Sequence, residues 1–203
     1  MQRAQREFAS KSPPRLRPEQ LALTLSLFAV LMAFATFYAL TQPNPAYFRA
    51  NAYGWGSALL AAPALFILIV RIGRAHLDHS WRLFWTAGWL MLAAHGWASL
   101  GLSHLWRPDL VAAEFGFWGA LAFWGVEIVW LIDLFAAWTR LDWARAGSIY
   151  AGWQVFAAAV VFLGHLAALL TVGGALALAV AIVLIAAVTI GSLIRLHLWE
   201  QGR

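Results

Sequence analysis

Cysteine is absent from this 203-residue chain, which excludes disulfides, thiolate nucleophiles and cysteine-ligated metal or iron–sulfur centres. Lysine occurs once, as Lys11, so no apolar segment offers an amine for a retinal Schiff base. There is no P-loop, no dinucleotide fingerprint and no His-Glu-x-x-His zinc helix. Gly101-Leu-Ser103 runs into His104, so the rhomboid-type Gly-x-Ser-Gly nucleophile motif is missing too. Charge is scarce, at 11% of residues against 63% apolar, and the mean hydropathy is +0.72. Those values belong to a chain whose solvent is lipid.

What is present is a series of apolar runs, each near the roughly 20 residues that span a hydrocarbon core. Six are predicted: Leu21 to Leu40, Ala52 to Val70, Leu83 to Leu102, Phe115 to Trp138, Ile149 to Val172, and Gly174 to Ile194. None alternates with period two, so each reads as a helix that satisfies its own backbone rather than as a barrel strand. The expectation is an all-α, polytopic helical bundle. Residues 1–20 form a polar cytoplasmic tail, residues 21–203 a single six-helix transmembrane domain, and Thr41 to Asn51 a partly ordered cap on the surface.

Basic residues set the orientation, because they collect in short loops on the cytoplasmic side. All fall on one side of the predicted membrane except Arg49 and Arg107, so both termini are expected in the cytoplasm of a bacterial-type plasma membrane. A net charge of +5 then serves topology and anionic headgroups, and nucleic acid is not expected as a partner. Membrane lipids, a hydrophobic small molecule, and a second copy or a membrane-complex subunit are the partners that the composition suggests.

An ionised side chain at mid-bilayer costs about 2.5–3.5 kcal/mol on insertion scales, so an intramembrane acid points to function. Glu127 is the deepest acid, roughly 16 Å from Trp138 at about 1.5 Å per helical residue. His95 lies roughly 18 Å from Leu83 by the same measure. A short loop joins the third and fourth spans, which makes them antiparallel neighbours and brings this acid and this base to one level. Trp124 and Trp130 flank Glu127 at helical spacing, and Trp89 and Trp97 flank His95. The expected site is therefore Glu127 and His95 as acid and base, with Trp89, Trp97, Trp124, Trp130 and His165 lining a lipid- or isoprenoid-like ligand.

The rival reading is a haem b held by His95 and His165 in a membrane anchor or electron-transfer subunit. His165 comes out roughly 24 Å from Ile149, about 6 Å farther out than His95, which argues against two ligands on one iron. A proton pathway or an assembly subunit without chemistry is the third reading. Asp133 is expected to form a salt bridge or snorkel toward Arg71, Arg140 or Arg195, Glu114 to complement the dipole where the fourth helix starts, and Gln154 to hydrogen-bond between helices. His76-Leu-Asp-His79 reads as a solvated loop, without a third ligand for a metal.

Overall fold

The computed structural model describes residues 16–72, 79–139 and 149–201. Those residues form helices throughout: α1 (Pro18–Leu40), α2 (Pro45–Arg71), α3 (His79–Trp97), a π-helical turn (Ala98–Ser103), α4 (Pro108–Thr139), α5 (Ile149–Val172) and α6 (Gly174–Gln201). Proline opens three of them, at Pro18, Pro45 and Pro108, where its missing N–H and fixed φ cost nothing. Asn44 caps α2 by accepting the Tyr47 N–H at 3.3 Å.

Two boundaries differ from the sequence reading. Most of the cap predicted over Thr41 to Asn51 is the first turns of α2, because Asn44 and Pro45 start the helix early. Likewise α1 already begins inside the predicted tail, of which residues 1–15 lie outside the described part. The Leu83 to Leu102 span is α-helical only to Trp97 and then widens, with the His104 N–H reaching back five residues to the Ser99 carbonyl at 3.1 Å. α2 stays helical through Pro63, while α4 is broken at Gly116, whose φ of 73° and ψ of 166° suit glycine alone.

Among the described residues, five helices are long and apolar enough to cross a membrane: α1, α2, α4 from Gly116 onward, α5 and α6. α3 is not among them, its hydropathy being lowered by Arg82, Thr86, His95 and its tryptophans. The molecule is an all-helical bundle of the multi-pass membrane type.

α2 lies at the centre, packed on α1, α3, α5 and α6. Its sequence explains why: Ala50, Ala52, Gly56, Ser57, Ala58, Ala61, Ala62 and Ala64 are all buried, and small residues let neighbouring backbones approach closely where no hydrophobic effect drives helices together. The outer surfaces carry the large apolar side chains, among them Val30 and Phe37 of α1, Trp118 and Phe135 of α4, and Leu163 of α5. Such a surface is compatible with lipid and not with water.

The two ends of the bundle differ. One gathers Arg17, Arg71, Arg82 and Arg195; there the Arg195 guanidinium donates to the carbonyls of Ile69 and Ile72 at 2.9 and 3.0 Å, and Gln20 at the start of α1 donates to Ser80 at 2.8 Å. The other holds the π turn, Trp106 and Arg107.

Candidate intramembrane acid–base site

α3 and α4 run antiparallel, as their contacts record: Trp85 with Asp133, Gly88 with Trp130, and Gly96 with Glu127. Gly96 is what admits the acid. A Cβ there would stand 2.5 Å from Glu127 Oε1 and 3.3 Å from its Cδ, so the carboxyl lies directly on the α3 backbone. Oε1 is enclosed and has no hydrogen-bond partner. Trp89 donates its indole N–H to the Glu127 backbone carbonyl at 3.2 Å, not to the carboxyl.

His95, next in sequence to Gly96, turns toward α2. Its Nδ1 lies 2.7 Å from the Ala50 carbonyl, and since a carbonyl only accepts, Nδ1 carries the proton. Nε2 is thereby left as an acceptor in the neutral ring, and it has no protein partner. Gly54 makes room for the ring, with a Cβ there only 3.4 Å from Nδ1, and Phe123 of α4 stands edge-on to it at 5.3 Å. Glu127 thus rests on the α3 residue next to His95 while the His95 ring turns to α2, and the two share no hydrogen bond.

The tryptophans separate. Trp89 stays at the seam. Trp124 is partly buried and has Phe123 as its ring neighbour, 5.1 Å away. Trp97 is 65% exposed and pairs with Trp106 at 4.4 Å, away from the carboxyl. Trp130 is fully enclosed deeper in the bundle, its indole N–H without a partner, seated on Gly88 between Trp85 at 4.6 Å and His165 at 5.6 Å.

His165 has its own buried network. Nδ1 lies 2.8 Å from the Val161 carbonyl and Nε2 lies 3.0 Å from Ser57 Oγ, which also donates to the Gly88 carbonyl at 2.8 Å. In the neutral ring, Nδ1–H serves Val161, so the single Ser57 proton has two acceptors to satisfy. Neither nitrogen is open to a metal, and iron ligation by His165 requires the Ser57 contact to break. Ser57 was missed in the sequence. Its only signal is its place in the small-residue run Gly56 to Ala58.

Asp133 is fully buried and accepts the Trp85 indole N–H at 2.8 Å; Arg195 donates to carbonyls, and Arg140, another partner expected for this acid, falls outside the described residues. Two expectations are corrected. Glu114 lies inside α4, which opens at Pro108, and pairs with His104 Nε2 at 2.7 Å; the acid of the first turn is Asp109. Gln154 has no interhelical bond: it is fully buried and neither amide atom has a partner. His79 opens α3 and lies face to face with Trp138 at 6.2 Å, His76 falls outside the described residues, and no group of three metal-ligating side chains occurs among those described.

Comparison with protein-family models, with curated proteins and with solved structures finds no match for the chain.

Proposed function

We propose that this is a six-span protein of a bacterial-type plasma membrane, both termini cytoplasmic, in which Glu127 and His95 form an intramembrane acid–base site that binds or transforms a lipid- or isoprenoid-like molecule. The observation that carries the reading is Glu127 Oε1, enclosed on Gly96 in an apolar seam and left without a donor. A buried carboxyl oxygen of this kind costs free energy unless something supplies its hydrogen bond. His95 complements it, because the Ala50 carbonyl fixes the tautomer in which Nε2 is an acceptor.

α3 counts as the sixth crossing in this reading. It links the end where His79 meets Trp138 to the end where Trp97 meets Trp106, and its polar side chains meet α1, α2 and α4, through Ser80, His95, Thr86 and Arg82. The clustering of Arg17, Arg71, Arg82 and Arg195 at one end supports a cytoplasmic location for that end. Membrane lipid is the source of the ligand and no nucleic acid is involved. A haem reading gains no support from His165, whose two nitrogens are engaged.

Native mass spectrometry of the purified protein tests the proposal. Wild type should carry a co-purified amphiphile that Glu127→Gln and His95→Ala release, with helical content unchanged by circular dichroism. Variants that lose their helical fold, or that keep the same bound molecule, would show that Glu127 only locks α3 to α4.

A further inference from the structure

Among the described residues, two arginines lie at the end of the bundle that holds the π turn, Arg49 and Arg107. Arg107 is neutralised by Asp109, whose carboxylate takes both its Nε and its Nη2. The other acid at that end, Glu114, is held by His104. Arg49 is left with neither. Its Nε is enclosed and has no partner, while the rest of its guanidinium is not enclosed.

The placement of Arg49 ties it to the acid–base site. It precedes Ala50, whose carbonyl orients His95, and lies one heptad from Gly56, so both share a helix face. Gly56 packs on Met91 of α3, and farther out the same helix meets the π turn. Arg49 therefore stands near the membrane boundary on the α2 face toward α3, next in sequence to the carbonyl that holds His95. It also lies in the first turns of α2, where the positive end of the helix dipole adds to its charge. A planar guanidinium at headgroup depth matches phosphate oxygens best.

We propose that Arg49 binds the phosphate of the amphiphile that the site takes, a phosphate mono- or diester whose apolar chain enters the α3–α4 seam toward Glu127. This rests on the acid–base reading above and names its substrate class.

The test measures binding of geranylgeranyl phosphate, geranylgeraniol, lysophosphatidylglycerol and inorganic phosphate to the full chain in nanodiscs. The isoprenyl phosphate or the lysophospholipid should bind at least tenfold more tightly than the alcohol. Arg49→Gln should abolish that difference and Arg49→Lys should keep part of it. Equal affinities for phosphate and alcohol, or an indifferent Arg49→Gln, overturn the inference, and inorganic phosphate binding as tightly as the amphiphiles overturns the amphiphile as ligand. Should Arg49→Gln fail to fold, phenylglyoxal modification of the wild type replaces it: the amphiphile must protect Arg49 and leave Arg107 reactive, and unprotected Arg49 refutes the site. Protection of Glu127 from a hydrophobic carbodiimide separates the two proposals. Arg49-dependent binding without that protection supports the anion site and removes the acid–base function, whereas protection without Arg49 dependence does the reverse.

Discussion

Gly96→Ala separates the site from the fold. The new methyl stands 2.5 Å from Glu127 Oε1, 3.3 Å from Cδ and 3.5 Å from Oε2. Carbon–heavy-atom contacts are favourable only near 3.5–4.0 Å, so the carboxyl must retreat by about 1 Å. It sits at the end of a flexible side chain, and the retreat leaves the backbone where it is. The cost to the fold should fall at or below the low end of the roughly 1–3 kcal/mol typical of overpacking. A displacement of about 1 Å at a reacting group, however, is enough to cost on the order of 10²-fold.

Gly88→Ala supplies the contrast. Its methyl meets Trp130 Cη2 and Cζ2 at 2.8 and 2.9 Å, and that ring is held by Trp85 and His165 with nowhere to go. The full penalty of about 1–3 kcal/mol applies there, and each kcal/mol lowers the unfolding midpoint by roughly 2–4 °C in a chain of this size. The assay pairs thermal unfolding in nanodiscs with retention of the bound amphiphile. Gly96→Ala should unfold within about 3 °C of wild type and lose affinity about 10- to 100-fold; Gly88→Ala should show the larger thermal loss. Equal thermal losses, or an unaltered affinity in Gly96→Ala, refute the assignment of Glu127 to a functional carboxyl resting on Gly96.

Gln154→Leu should stabilise the protein, because a fully buried amide with no partner costs about 1–3 kcal/mol that leucine does not; a lower midpoint means the amide is satisfied by something bound. Trp85→Phe removes the donor to buried Asp133 Oδ2 and should cost about 1–3 kcal/mol, read as a fall in midpoint that Asp133→Asn does not add to in the double variant. Gly116→Ala meets no neighbouring atom yet should cost about 1–3 kcal/mol through its backbone conformation alone; a midpoint equal to wild type contradicts the break in α4. Glu114→Gln weakens the hold on His104, so amide exchange over the π turn and the segment to Arg107 should accelerate while α5 is unchanged.

The helices were legible because the lipid requirement acts on every residue of a span. Ile149 to Val172 is the same in sequence and structure, and Pro45 moved the start of α2 only by extending it. Glu127 and His95 were legible for the same reason, since a titratable side chain stands out in an apolar run. Their partners were not. That His95 bonds to the Ala50 carbonyl depends on a backbone atom, which every residue carries, and on Gly54, whose absent side chain leaves no pattern to read. The indoles misled in the opposite way: nearness in sequence suggested Trp97 beside His95, but two residues along a helix turn the side chain to the far face, where Trp97 meets Trp106.

Asp133 shows why depth alone does not identify a functional acid. It is more completely buried than Glu127, yet it accepts a hydrogen bond from Trp85 within a fully packed aromatic layer. Glu127 is less buried, and where Asp133 has the Trp85 donor its carboxyl has none among the described residues. A carboxyl that holds a donor within a packed layer has a structural explanation, whereas a partly buried carboxyl without one is open to a second molecule. In the proposed site two acceptors, Glu127 and His95 Nε2, accompany a cation, Arg49. The phosphate of an amphiphile satisfies Arg49, whereas the two acceptors call for a donor such as a hydroxyl on the same molecule; a purely hydrocarbon ligand satisfies none.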